Sequence, residues 1–312
     1  MHDHALKFSI IIATKNRLHD LLECLQSIAR QSVLPKEIII VDASEPPLAQ
    51  EVLQQAANPI STKYIKSPIA GLPSQRNIGV SHLAPDAEVV VFLDDDVVLE
   101  DGCFDEMLRA FADHPEVAGV TGIIVNQLRE DCHPFSRLFL LNDPQPGVVL
   151  PSGVNTLAYA DVHSNMLVEW LPGWCCCYRR EIVESFRFDS RYEHFGGYAY
   201  CEDLDFSYGV STRGYALMVV PQLRLVHKES PTGRLNDYMF SVTQVANRGM
   251  FVEKHWGTWY HRFCFLWSTL GLIGSNGLMA LLGKRSWQSF LGNLYGLARW
   301  AAHCSGEPNS TA

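Results

Sequence analysis

The sequence predicts an α/β protein, a mostly parallel sheet flanked by helices, followed by a helical C-terminal extension. Continuous apolar runs rich in Ile and Val recur along the first part of the chain, as strands buried on both faces of a parallel sheet require. Segments of helical period separate those runs, the alternation from which such a sheet is built. From residue 236 onward both the charge and the apolar pattern change, which marks a second part.

Phe8 to Ala13 is the first buried run, and Thr14 to Arg17 is a polar loop after it. Leu18, Leu21, Leu22, Leu25 and Ile28 then recur at helical spacing, with Pro35 beyond the helix. Glu37 to Val41 is the second run and ends at Asp42. A right-handed crossover places both strand ends on one edge of the sheet. Lys63 to Ile65 reads as a short strand, Pro73 to His82 as a helix, and Glu88 to Leu93 as a third buried strand ending at Asp94. Ligands of open α/β sheets lie outside the carboxyl ends of the strands. Thr14, Asp42 and Asp94 all sit at such ends, and this shared placement predicts one site. Asn126 to Ala160 reads as loops. Val162 to Leu171 reads as a strand, Glu202 to Thr212 as a helix, and Ala216 to Val220 and Arg224 to His227 as two strands.

The formal charge of −9 is unevenly spread: residues 1–235 carry −12 and residues 236–312 carry +3. Phe263 to Leu282 is twenty residues without a charge, flanked by Arg262 and by Lys284-Arg285. That length just spans a bilayer's hydrocarbon core, yet Gly271, Gly274, Ser275, Asn276 and Gly277 interrupt it. Arg285 to Trp300 reads as an aromatic-rich amphipathic helix. Spanning, lying in the interface and ordinary burial all remain open, with interfacial attachment preferred. The expectation is a domain over 1–235 and a helical region over 236–312 in peripheral contact with a membrane.

An acidic chain lacks the basic footprint of a general nucleic-acid binder, and 47% hydrophobic with 19% charged residues fits a globular protein. The opening residues contain no long apolar stretch with a cleavage site, so a cytoplasmic protein is expected. Its nine cysteines then read as reduced, and Cys175-Cys176-Cys177 as packing residues. No G-x-G-x-x-G follows the first strand and no P-loop motif is present, so neither phosphate-binding reading has its key signal.

Asp94-Asp95-Asp96 is the sharpest feature. Carboxylates placed directly after a buried strand repel one another, and a divalent cation relieves that repulsion. Oxygen-rich, sulfur-free ligation suits Mg²⁺ or Mn²⁺, which also take phosphate oxygens. The competing reading is a solvated acidic loop, or a cap on the helix that begins near Asp101.

The run FSIIIATKNRLHDLLECLQSI, EIIIVDAS, GLPSQRNIGV and VVVFLDDDVVL resembles the nucleotide-binding half of inverting family 2 glycosyltransferases of the GT-A, Rossmann-like fold. It covers roughly residues 7–125, with an acceptor-side half over 126–235 and a fainter likeness to about 255. The resemblance implies that Ala13, Thr14, Asn16 and Arg17 line the nucleotide pocket. It implies that Asp42 bonds the base or ribose, that Arg76 lies near the nucleotide, and that Asp94 contacts ribose or metal. Asp96 would ligate the metal, and Asp95 would serve the sugar or the loop. The chain has Val-Asp-Ala-Ser where the family often has Val-Asp-Asp-Gly-Ser. Residue by residue, Thr14 and Asn16 could instead cap the next helix, Asp42 could form a turn with Ser44, and Arg76 could form a surface pair.

Transfer from a nucleotide sugar needs a base for the acceptor hydroxyl and charge stabilisation on the leaving diphosphate. The resemblance assigns the base to Asp203, with Glu202 positioning acceptor or base; first-turn acids favoured by the helix dipole are the alternative. Trp174, in Leu-Pro-Gly-Trp, could stack on an acceptor sugar or belong to the core. His227 could complete the metal shell. Together these imply a nucleotide-diphosphate-sugar donor, a glycan or lipid-linked acceptor, an Mg²⁺ or Mn²⁺ cofactor, and work at the inner face of the membrane. A sugar nucleotidyltransferase and a non-catalytic nucleotide- or sugar-binding module are the rival readings.

Overall fold

The computed structural model describes residues 6–127, 132–157, 162–194 and 198–304. In chain order the elements are β1 (Phe8–Thr14), α1 (Leu18–Ala29), β2 (Glu37–Asp42), α2 (Gln50–Ala57), β3 (Thr62–Lys66), α3 (Leu72–Val80), β4 (Val89–Asp94), β5 (Val97–Leu99), α4 (Cys103–Asp113) and β6 (Val117–Ile124). Then come α5 (Pro134–Leu138), β7 (Met166–Val168), β8 (Cys175–Arg179), α6 (Arg180–Ser185), β9 (Glu193–His194), β10 (Tyr198–Ala199), α7 (Glu202–Ser211) and β11 (Ala216–His227). Three long helices close the described chain: α8 (Asp237–His255), α9 (Trp259–Leu281) and α10 (Trp287–Cys304).

The chain divides into two compact units. The first takes residues 1–129, 157–190 and 202–233, and the second takes 130–156, 191–201 and 234–312. The second unit thus takes the tail together with two earlier segments that sequence periodicity does not single out.

In the first unit, the described strands form one sheet in the order β3-β2-β1-β4-β8-β6-β11-β5, with β7 on β11. β1, β2, β3 and β4 pair in parallel. Beyond β4 the sheet is mixed, because β8 inserts antiparallel between β4 and β6. The parallel half follows from chemistry: Ile10, Ile12, Ile38, Ile40, Val89 and Val91 pack on one face, and Ile11, Ile39, Val90 and Phe92 on the other. Both faces exclude water, so the apolar runs are near-continuous, and the buried Ser9 donates to Glu37 at 3.0 Å. Cys175 and Cys177 face one core and Cys176 the other, as strand pleat requires. The described cysteines are free.

The two late strands expected separately are one strand, β11, whose register shifts between Val219 and Arg224 around Pro221, where a missing N–H is tolerated. The strand expected over 162–171 is confined to β7.

In the second unit, α8 packs with α9 and α10. The glycines inside α9 do not break it. Gly271 lies where a Cβ would meet Phe139 at 2.3 Å, so it admits a ring to the helix surface, and Phe139 stacks on Trp267 at 4.7 Å.

Candidate active site

Parallel pairing sets Thr14 opposite Asp42 and Ala13 opposite Asp94, so the carboxyl ends of β1, β2 and β4 form one rim. The acidic run leaves β4 there, and each carboxylate meets a different partner. Asp95 is buried and accepts from Thr14 Oγ1 at 2.7 Å and from Arg17 Nη1 at 3.0 Å. Burial pushes its pKa up to about 7, against the opposing pull of Arg17 and Thr14. Of the two roles open to Asp95, this geometry matches the loop.

Asp96 accepts the Ser230 N–H at 2.9 Å, and its other oxygen lies 3.1 Å from His227 Nε2. Burial alone would raise its pKa, but the His227 hydrogen bond and charge, the Ser230 amide and Arg17 outweigh it and hold it low. Asp94 is the most open of the three and accepts from Arg76 Nη2 at 2.9 Å. Burial raises its pKa, with Arg76 opposing and Asp96 adding to the rise.

One donor atom each from Asp94, Asp96 and His227 lies within 4.8 Å of the others. His227 reaches this place because β11 pairs antiparallel with β5, putting His227 opposite Val97. Two carboxylates and one imidazole fit Mn²⁺ or Mg²⁺ in donor type, and leave coordination positions for phosphate oxygens and water.

The loop after β1 is held by its own polar groups. Asn16 takes a positive φ of 57°, which asparagine tolerates. Its N–H donates to Ser44 Oγ at 2.7 Å, and its Oδ1 accepts the Glu45 N–H at 3.0 Å. Neither Thr14 nor Asn16 caps α1, whose N-cap is Arg17. The Arg17 guanidinium also donates to the Thr232 carbonyl, with Nε at 2.8 Å.

Asp42 lies at the end of β2, beneath the rim. It is fully buried, and its oxygens accept from Ser44 N at 2.7 Å, Leu48 N at 3.0 Å and Tyr64 Oη at 2.7 Å. Burial would raise its pKa, but the Leu48 amide, Ser44 and Tyr64 hold it below the usual range. Asp42 shapes the loop under the rim.

Arg76 is 2% exposed and joins the two acidic sites. Nη2 donates to Asp94 at 2.9 Å and to the Gly173 carbonyl at 2.8 Å, and Nη1 lies 3.3 Å from Glu202. The Phe188 ring lies 5.2 Å below the guanidinium. A Cβ at position 173 would lie 3.0 Å from Nη2 and 3.1 Å from Nη1, so any larger residue there would crowd the guanidinium. The Gly173 N–H in turn donates to Asp203 Oδ2 at 2.7 Å, and the Leu204 N–H donates to Oδ1 at 2.7 Å. Glu202 and Asp203 open α7. Burial raises the pKa of both; for Glu202 the neighbouring charge of Asp203 adds to it, against Arg76.

Trp174 is buried in the core. Its side chain is 8% exposed and packs in the main apolar cluster, and its carbonyl accepts the Asp94 N–H at 3.1 Å. The glycines before the Glu-Asp pair, Gly196 and Gly197, lie outside the described residues. Four residues that periodicity does not find complete the site: Gln75, Gly173, Ser230 and Thr232. Gln75 donates to the Thr14 and Val41 carbonyls at 3.0 and 2.7 Å and ties α3 to both strand ends. Its place directly before Arg76 at a helix start was the available signal.

Comparison with known proteins places this geometry in context. Residues 9–160 match the profile of glycosyl transferase family 2. The uncharacterized glycosyltransferase YwdF of Bacillus subtilis (strain 168) is 34% identical over 113 residues, 33% of this chain and 38% of that protein, so the match spans little more than a third of that relative. Rhamnosyltransferase WbbL of Escherichia coli (strain K12) is 23% identical over 201 residues, 61% of this chain and 72% of that one. Among solved structures, the mannosyltransferase PcManGT of Pyrobaculum calidifontis, in complex with GDP-Man and Mn²⁺, is similar with TM-score 0.59 and 15% identity, covering 98% of this chain and 89% of that one. S. aureus TarS in complex with UDP-GlcNAc is similar with TM-score 0.55 and 14% identity, covering 97% and 93%. At these identities the likeness is one of fold.

Proposed function

We propose that this chain, which belongs to glycosyl transferase family 2 through residues 9–160 and has the GT-A fold, moves a sugar from a nucleotide-diphosphate donor to a hydroxyl of a glycan or lipid-linked acceptor, with inversion. The observation that carries this reading is the buried Arg76, bonded to Asp94 at one end and to Glu202 at the other. It fixes an oxygen-rich cation site beside a carboxyl pair of raised pKa, the two functions that such a transfer needs.

The donor lies over the rim of β1, β2 and β4. Ala13, Thr14, Asn16 and Arg17 form its floor, and Asp42 acts from beneath through the 42–48 loop. Asp94, Asp96 and His227 would hold Mg²⁺ or Mn²⁺, which when bound supplies positive charge to the diphosphate. Arg76 stays charged, because burial is outweighed by Asp94 and Glu202, and so keeps Asp94 aimed. Asp203, oriented by the Gly173 and Leu204 amides, takes the proton of the acceptor hydroxyl. The hydroxyl oxygen bonds to the anomeric carbon from the face opposite the diphosphate, whose bond breaks with its electron pair. PcManGT with GDP-Man and Mn²⁺, and TarS with UDP-GlcNAc, support a donor and cofactor of these classes. The place of the reaction in this reading is the cytoplasmic face of a membrane, where a lipid-linked acceptor would be met.

The test is a panel of nucleotide sugars read by mass, with wild type and Asp203→Asn. Wild type is expected to release nucleoside diphosphate slowly from one donor class. Asp203→Asn should keep donor affinity and lose about 10²–10⁴ in turnover, the usual worth of a general base. Near-normal turnover in that variant removes the base assignment; pyrophosphate-dependent exchange would mark a nucleotidyltransferase instead.

A further inference from the structure

The helical second unit buries Val242, Val245, Phe251, Phe265 and Trp300, yet leaves a large apolar face open. In a soluble protein an amphipathic helix buries its apolar face and shows its polar one. Helix α9 buries Cys264, Phe265 and Ala280, but polar residues share that buried side and the other side is apolar too. It buries Ser268, Thr269 and Asn276, with Thr269 bonded to Arg248 at 2.7 Å and Asn276 to Arg285 at 2.8 Å. Its open side carries Trp259 (79% exposed), Phe263, Leu266, Leu270, Leu278 and Leu281 (72%) at steps of three, four and eight residues.

Helix α10 likewise buries Asn293 beside Trp300 and exposes Trp287, Leu291, Leu294 and Tyr295. Short α5 extends the face, since Trp267 Nε1 donates to the Leu138 carbonyl at 2.7 Å while Phe135 and Leu138 are exposed. So many large apolar side chains left open on neighbouring helices mark a binding face. The charge beside it is mostly positive: Arg262 is paired with Glu253 at 2.6 Å, but from Lys254 to Cys304 there is no Asp or Glu, while Lys284, Arg285 and Arg299 are present. Tryptophan and tyrosine stand toward its ends, the residues that settle at a lipid headgroup level.

We infer that the open face of α9 and α10 docks flat on an anionic lipid bilayer, with the apolar side chains at the headgroup–acyl boundary and Lys284 and Arg285 against the headgroups. A second copy of the chain would bring cation against cation, which disfavours that occupant. A bilayer-spanning α9 would have to expose Ser268, Thr269 and Asn276 to hydrocarbon and give up the Arg248 and Arg285 bonds, which disfavours spanning. This inference locates the membrane contact of the proposed reaction on named residues, and it stands on the exposure pattern alone.

The test is flotation of the full chain with vesicles of phosphatidylcholine, or of phosphatidylcholine and phosphatidylglycerol in equal parts. The chain should partition at least about tenfold more strongly to the anionic vesicles, and salt should weaken binding. Leu270→Ser with Leu278→Ser should lower partition by about tenfold or more while the thermal midpoint is unchanged. Lys284→Gln with Arg285→Gln should lower it by about tenfold on anionic vesicles only. Equal binding by wild type and both variants overturns the inference. So does a wild type that fails to float and sediments as a dimer that the leucine variant dissociates. Resistance to alkaline carbonate extraction would show spanning and overturn flat docking. Nucleoside diphosphate release from the donor, measured on the same variants without acceptor, separates failure of this inference from failure of the proposed transfer.

Discussion

Arg76 is the residue on which the candidate site turns, and its energetics are testable apart from catalysis. A buried guanidinium among carboxylates gains little over an apolar substitute of the same shape, yet removing one partner leaves a charge stranded. Arg76→Met is therefore expected to cost about 3–5 kcal/mol by urea unfolding, since Glu202 and Asp94 lose their cation. Arg76→Met with Glu202→Gln should recover a good part of that stability and none of the activity. Equal stability of the single and double variants would mean that a stranded Glu202 charge is not what Arg76→Met costs. The two partners stand 126 residues apart in the chain, which is why their pairing could not be read before the fold.

At the scale of elements, what was legible was where strands end. Buried runs in β1, β2 and β4 fix their own limits, and parallel pairing then aligns Thr14, Asp42 and Asp94 without further information. Side-chain direction was not legible. Whether Trp174 points to the core or to a ligand depends on how the chain enters β8. Nor could it be read that Asp42 holds its own loop, whose two N–H groups, with the Tyr64 O–H, would otherwise be buried unpaired. Asp42→Ala should accordingly destabilise the protein by about 2–4 kcal/mol at neutral pH, from the loss of hydrogen bonds to a charged acceptor. The sign with pH follows from its lowered pKa. The stabilisation is present above the unfolded pKa and is lost as pH falls through the folded one. The difference between wild type and variant in urea midpoints should therefore shrink below about pH 4. A constant gap from neutral to acid pH would assign the cost to shape alone.

At the scale of the whole molecule, charge decides what the site can bind unaided. Residues 1–235 carry −12, and the rim adds two carboxylates, Asp94 and Asp96, with their donor atoms gathered in one place. A nucleoside diphosphate is itself an anion, so its approach meets repulsion that neither Arg17 nor Arg76 is free to offset. Arg17 donates to Asp95 and the Thr232 carbonyl, and Arg76 to Asp94 and Glu202. Lys228 likewise donates to Asp20 and Glu23. Cation and nucleotide should consequently bind with mutual reinforcement, a coupling that is the same whichever is added first. By calorimetry, chelation should weaken nucleoside diphosphate binding by about 10² or more, at the upper end of common coupling energies. With both ligands near a hundred times their dissociation constants, thermal stability should rise by the equivalent of about 2.7 kcal/mol, and by far less with either alone. Asp96→Asn should abolish the synergy while leaving the fold intact, since an amide oxygen can still accept the Ser230 N–H. Nucleotide affinity that is unchanged by chelator and by Asp96→Asn would show that the acidic cluster has another purpose.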